Sequence, residues 1–157
     1  MAGRAHNMER SMKHSEESLA HQIALGWIAS LAILATTLLS MALFGMFSEA
    51  DFIALRQDPG YDGVFVLKIL SAVYLFSAIG VYAFGSSRIF RWVETSTAIL
   101  AFLLMLLHHL SHWVAGQRIG LMSHLMDVLH HVSMGWVILN SLRWARLSRK
   151  PGAGKPD

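Results

Sequence analysis

The chain has no cysteine, little proline and little charge. Of its 157 residues none is cysteine, three are proline and 15% are charged, whereas 54% are hydrophobic. Without cysteine the chain forms no disulfide, offers no thiolate to a metal and performs no thiol redox chemistry. A soluble domain of this length would carry more charge and fewer long apolar runs. The composition therefore indicates a membrane protein.

Long apolar runs are what the sequence does have. A helix of about 20 residues crosses the hydrocarbon core of a bilayer, and four segments are long enough: roughly 20–47, 63–85, 92–115 and 120–142. Unbroken runs such as IALGWIASLAILATTLLSMALFGMF lack the alternation of barrel strands. Backbone groups in lipid must be paired within the segment, which a helix achieves. We therefore predict an all-α integral membrane protein with a bundle of four transmembrane helices over 20–142.

The basic residues predict the orientation. All but three of the lysines and arginines lie before the first span, between the second and third, or after the fourth: Arg4, Arg10, Lys13, Arg88, Arg91, Arg143, Arg146, Arg149, Lys150 and Lys155. By the positive-inside rule the N and C termini are cytoplasmic, and the site described below faces the outside of a bacterial-type inner membrane. We expect the polar segment 1–19 to be loose or to lie on the surface. The tail 143–157 is expected to contact lipid head groups, with no role in nucleic acid binding.

Histidine is concentrated in the last two spans. Six of the nine histidines, with one aspartate, fall in a single stretch of 24 residues: His108, His109, His112, His124, Asp127, His130 and His131. Ionisable groups at membrane depth are costly and usually functional. Neutral imidazole is also the commonest metal ligand in proteins. This cluster is therefore the predicted functional site.

Helical spacing predicts which of these residues meet. Spans three and four are joined by a short connection, so they are expected to be antiparallel neighbours. Folding the hairpin there places His109 level with Asp127 and His112 level with His124. On the fourth span His131 shares the face of His124 and Asp127, at i, i+3 and i+7. His130 points about a quarter turn away.

The leading interpretation is a transition metal site. His108 and His112, at i and i+4, could ligate one ion from a single helix. His124, Asp127 and His131 would complete the shell, unless Asp127 instead orients an imidazole through its second nitrogen. His109 and His130 are alternates that depend on helix rotation. Nearby methionines favour copper over zinc, with iron also possible; these are Met105, Met122, Met126 and Met134.

Other functions compete with this one. His108 or His109 could pair with His131 around haem b, in a quinone-linked anchor or an electron-transfer subunit. A proton relay is a further reading, but the third span has no titratable group between Glu94 and Met105. The last alternative is a cofactor-free structural subunit. In each case we expect no enzyme acting alone, but a homo-oligomer, or an accessory subunit of a larger membrane complex.

Two further expectations concern single residues. Glu94 is expected to pair with Arg91 or Arg88 near the cytoplasmic surface. The tryptophans are expected to anchor the helices at the two membrane interfaces; they include Trp27, Trp92, Trp136 and Trp144.

Overall fold

In the computed structural model, the described residues 2–43, 62–114 and 121–147 form four helices. Their bounds are Ala2–Leu43 (α1), Asp62–Phe84 (α2), Arg88–Val114 (α3) and Leu121–Arg146 (α4). No strand occurs within these residues, which confirms the all-α prediction. Some side chains within the helices lie outside the description: those at 2–5, 8–9, 38, 40–43, 62–68, 111–113 and 122–123. The connections 44–61 and 115–120 and the tail 148–157, with the predictions made for them, are also outside it.

The described part of the polar N-terminal segment is helical and mostly exposed, so of the two alternatives expected for it the surface position fits and the loose segment does not. Helix α1 runs without a break from Ala2 to Leu43, which covers most of the first predicted span. Between Arg4 and Leu25 the sequence has no glycine or proline that would interrupt it. Lys13 and Glu17, one turn apart, lie 4.0 Å from each other, a spacing that supports helix on an exposed surface.

The helices pack as a bundle in which α1 contacts α2 and α4, and α4 also contacts α3. Among the helix pairs that contact each other, α2 and α3 have the least contact. The buried core draws on every helix: Ile23, Trp27, Leu34, Leu70, Tyr74, Ala78, Val81, Ala98, Ala101, Met105, Met134, Val137 and Trp144.

Helices α1 and α4 are joined by small and polar residues. The hydroxyl of Ser30 donates to that of Ser133 at 2.9 Å, and Ser133 donates to the carbonyl of Gly26 at 3.1 Å. A Cβ atom on Gly26 would lie 2.5 Å from Cγ2 of Val137, so this close approach requires glycine. Small residues and interhelical hydroxyl contacts of this kind are typical of packing between membrane helices.

A buried arginine holds one end of the bundle together. Arg91 Nε donates to the carbonyl of Gly85 at 2.8 Å, and Nη1 lies 3.2 Å from the carboxylate of Glu16. The same Nη1 donates to the carbonyls of Trp144 and Leu147, both at 3.3 Å. Trp144 is in the last turn of α4 and Leu147 follows directly after it, where backbone carbonyls run short of helical donors. One guanidinium thus ties α1, the α2–α3 turn and the end of α4 to α3.

The expected pairing of Glu94 with an arginine is wrong. Glu94 is 3% exposed and accepts hydrogen bonds from the indole N–H of Trp27 and from Ser77. Arg91 pairs with Glu16 instead. Arg91 and Glu94 are three positions apart on α3. The side chain of Arg91 is directed toward the ends of α2 and α4, whereas that of Glu94 is directed toward the core.

The expectation of interfacial anchoring is wrong for two tryptophans. Trp27 and Trp144 are 0% and 1% exposed, in the bundle core. Their indole rings serve helix packing, and each also faces a charged group: Trp27 the carboxyl of Glu94, and Trp144 the guanidinium of Arg91. Trp92 and Trp136 are exposed.

The outside of the bundle is apolar and its inside holds polar groups. Arg91, Glu94, Thr95, His130, Asn140 and Ser141 are among the buried polar residues. Large apolar side chains follow the outer face of α4: Leu121, Leu125, Val128, Leu129, Val132, Trp136 and Leu139. Within the described residues, two helical segments are long and apolar enough to cross a membrane, Arg10–Thr37 and Arg88–Leu110. Ile69–Phe84 is apolar but shorter.

Candidate functional site

The inward face of α3 leads to His109. Glu94, Ala98, Ala101 and Met105 are buried one after another along this face, as their spacing of three and four residues predicts. The next turn brings His109 into the half-buried region. His108 is exposed. The rotation of α3 therefore turns His109, and not His108, toward the inside of the bundle. The sequence gives His109 only as an alternate metal ligand.

Helix α4 presents two neighbouring faces to the rest of the bundle. His130 and Met134 belong to the face that is buried in the core, at 3% and 0% exposure. Asp127 and His131 belong to the adjacent half-buried face, which lies against α3. The predicted quarter-turn separation of His130 from Asp127 and His131 is present, and it places His130 deeper than they are.

Asp127 contacts two imidazoles at once. Its Oδ1 lies 2.7 Å from Nε2 of His109, which is the level pairing that the hairpin predicts. Its backbone carbonyl lies 2.7 Å from Nδ1 of His131, one turn further along α4. A carbonyl oxygen only accepts, so Nδ1 of His131 carries the proton and Nε2 is left with its lone pair. Asp127 thus fixes the orientation of both rings.

The other nitrogens of these two rings are buried and unpaired among the described residues. Nδ1 of His109 and Nε2 of His131 have no hydrogen-bond partner there. The ring centroids of His109 and His131 are 4.9 Å apart, and Phe102 packs edge-on against His131 at 5.3 Å. A buried polar atom without a partner is costly. An imidazole that donates through one nitrogen and keeps the other free is typical of a metal ligand.

His130 repeats this arrangement on the core side. The hydroxyl of Tyr74 lies 3.1 Å from its Nε2, and its Nδ1 has no partner within the described part of the chain. The rings of His130 and His131 are 6.1 Å apart and nearly perpendicular. Adjacent residues on a helix point about 100° apart. His130 therefore does not share the donor direction of His131.

The remaining members of the predicted cluster lie further from this pair or outside the description. The ring of His108 is 5.8 Å from that of His109 and faces the exterior. His124 is half-buried, one turn before Asp127, and the side chain of His112 lies outside the described residues. Among the side chains that the structure describes, no three His, Asp or Glu residues form a ready-made metal-binding group.

Sequence reasoning missed the core partners of the cluster. Tyr74 is fully buried between His130 and Trp27, whose ring centroid is 5.1 Å from its own. The sequence does contain a sign of this contact, because a tyrosine in the middle of an apolar span needs a partner for its hydroxyl. The sequence does not say which histidine supplies it, since that depends on how α2 and α4 face each other across the core.

The arrangement can position two imidazole lone pairs in a buried space, with a carboxylate behind one of them. No family model, curated protein or solved structure matches the chain. Its function is therefore inferred from its own residues.

Proposed function

We propose that the protein binds a transition metal ion, with Nδ1 of His109 and Nε2 of His131 as the first two ligands. The observation that supports this most is the double role of Asp127, whose carboxylate and carbonyl each hold one of these rings at 2.7 Å. Outer partners of this kind orient metal-bound imidazoles and raise their basicity. Asp127 then orients the imidazoles and is not itself a ligand. This is the second of the two roles that the sequence predicts for it.

Further ligands come from residues one turn away. His112 follows His109 by three positions, and His124 precedes Asp127 by three. By helical rise and chain direction they are expected to lie level with each other, one turn beyond His109 and Asp127. His108 and His130 stay as alternates, since one is exposed and the other is directed to Tyr74.

Copper is the proposed metal in preference to zinc. The cluster offers no thiolate, since the chain has no cysteine. Thioethers lie on both helices: Met105, one turn before His109 on the same face of α3, is 7% exposed, and Met134, on the core face of α4 with His130, is fully buried. Imidazole nitrogen together with soft sulfur suits copper, in particular Cu(I).

All four described helices are proposed to cross the membrane. Polar residues lower the mean hydropathy of α4, among them His124, Asp127, His131 and Asn140. These residues are half-buried or buried, while large apolar side chains follow its outer face. Polar groups inside and apolar groups outside are what lipid demands. With both termini cytoplasmic, the metal site lies toward the periplasmic side of a bacterial-type inner membrane.

The proposed role is metal handling, alone or as an accessory subunit of a larger membrane complex. Haem b between α3 and α4 receives less support. A porphyrin needs a gap between its two histidines, whereas the rings of His109 and His131 are 4.9 Å apart and His109 touches Asp127. His108, the other haem candidate, faces the exterior.

Elemental analysis of protein purified without a histidine tag tests metal binding. We expect about one copper per chain, and loss of that copper in the double variant His109→Ala/His131→Ala. His14→Ala is the matched control, since His14 is exposed on α1 and should leave the metal content unchanged. Equal copper in the wild type and the double variant, with both eluting as folded protein in gel filtration, would contradict the proposal. Stoichiometric iron with a Soret band would favour haem instead.

The membrane topology is tested separately with single cysteines, because the natural chain has none. Ser86→Cys lies in the turn between α2 and α3, and Gln117→Cys lies in the connection between α3 and α4. In intact cells a membrane-impermeant maleimide should label position 117 and spare position 86. Labelling of both positions, or of neither, would contradict the four-span arrangement.

A further inference from the structure

An open groove runs between α2 and α3, where these helices separate. It has a volume of about 380 Å³, within the size range of pockets for small organic ligands. Its walls are mostly apolar and include two aromatic rings: Ile69, Ala72, Val73, Phe76, Phe90 and Val93. It lies in a different part of the bundle from the histidine cluster. Under the four-span arrangement its mouth opens to the hydrocarbon core.

Polar groups line this apolar groove. Glu94 and Ser77 are buried, and Thr97 lies beside them, half-buried. The indole of Trp27 donates to Glu94 from the core, and Ser77 bonds to Glu94 from α2. A carboxylate has about four acceptor positions. The two protein donors therefore leave Glu94 able to accept a further hydrogen bond from the groove.

We propose that this groove binds the head group of a membrane-soluble quinol, with Glu94 accepting a hydrogen bond from a ring hydroxyl. A carboxyl with hydroxyl neighbours matches a ligand that carries a hydroxyl donor. Phe76 and Phe90 suit an aromatic ring, and the opening toward lipid admits an isoprenoid tail. The acyl chain of a phospholipid has no donor for Glu94 and would leave this part of the groove unmatched. The proposal does not depend on the metal site.

The oxidation state of the ligand gives a sharp test. A quinol donates through its hydroxyls, whereas a quinone carries only acceptor oxygens. Protein in nanodiscs should bind decyl-ubiquinol saturably, at about one per chain above empty nanodiscs. It should bind decyl-ubiquinone about tenfold more weakly, the factor expected for the loss of one hydrogen bond.

The variant Glu94→Gln changes the expected preference. The amide oxygen still accepts from Trp27, while the amide N–H₂ donates to a quinone carbonyl. Selectivity for the quinol should therefore disappear or reverse. If Glu94→Gln bound quinol and quinone with the wild-type preference, Glu94 would not be the contact, and the proposal would be overturned.

Two further variants test binding in the groove while Glu94 is left unchanged. Ala72→Phe adds bulk inside the groove and should abolish binding. Ala83→Phe adds the same bulk to the same helix face, three turns along, at an exposed residue that does not line the groove, and should bind as the wild type does. Equal binding by the two variants, or no saturable binding by the wild type, would overturn the proposal. So would a copurified phospholipid that decyl-ubiquinol fails to displace.

Discussion

The hydroxyl of Tyr74 lies 3.1 Å from Nε2 of His130, and this contact joins α2 to α4 across the bundle core. Tyr74 also packs against Trp27, whose indole N–H donates to Glu94. His130 is thus connected to Glu94 through two side chains, Tyr74 of α2 and Trp27 of α1. An indole N–H only donates, so this connection does not carry protons. It gives the proton-relay hypothesis no path through these residues.

Replacement of Tyr74 by phenylalanine should destabilise the fold. The ring packing is kept, but Nε2 of His130 loses its partner inside the core. A buried polar group left unpaired costs about 1–3 kcal/mol, so the free energy of unfolding in mixed detergent micelles should fall by that amount. Tyr82→Phe is the matched control, because Tyr82 is exposed and bonds to His21 at the surface. Equal losses of unfolding free energy in the two variants would show that the buried Tyr74–His130 contact does not stabilise the fold more than the exposed one does.

Replacement of Asp127 by alanine should weaken copper binding without removing a proposed ligand. The backbone carbonyl still holds His131, but His109 loses the carboxylate that orients it. Loss of such an outer partner typically lowers metal affinity by about 10–100-fold. Competition with a chromophoric copper chelator measures the change. Glu17→Gln, which removes an exposed carboxylate on α1, should leave the affinity unaltered, and a wild-type affinity in Asp127→Ala would argue against this geometry.

Periodicity predicted part of this arrangement. The four helices, the antiparallel pairing of α3 with α4 and the contact of His109 with Asp127 follow from chain direction and helical rise, which are local properties. The rotation of α3 is settled by packing instead. His108 and His109 fit the same stripe in the sequence, and only the burial of Ala101 and Met105 against neighbouring helices selects His109.

Contacts between helices that are not neighbours in the chain could not be read from the sequence. Trp27 and Glu94 differ by 67 positions, and Arg91 and Glu16 by 75. The preference of tryptophan for membrane interfaces predicts anchoring for Trp27, but residue type alone does not tell in which direction the ring points. The groove between α2 and α3 is likewise a consequence of how the helices diverge.

Replacement of Arg91 by lysine should destabilise the bundle although the charge is kept. The guanidinium serves Gly85, Glu16 and two carbonyls at the end of α4 together. A lysine ammonium lacks this planar fork. We expect a loss of about 2 kcal/mol or more in the free energy of unfolding. Arg88→Lys, at an exposed neighbour on the same helix, should change it by less than about 0.5 kcal/mol. Similar values for the two variants would contradict the structural role of Arg91.

Replacement of Gly26 by alanine should force α1 and α4 apart. The new Cβ would lie 2.5 Å from Cγ2 of Val137, and overpacking of this kind costs about 1–3 kcal/mol. Gly135→Ala is the matched control on α4, since no atom lies within 4 Å of the added Cβ there, and it should be neutral or slightly stabilising because alanine favours helix. The double variant Gly26→Ala/Val137→Ala removes the opposing methyl groups, so it should recover part of the loss relative to the sum of the single changes. Strict additivity in this cycle would mean that the α1–α4 distance is not set by the contact between Gly26 and Val137.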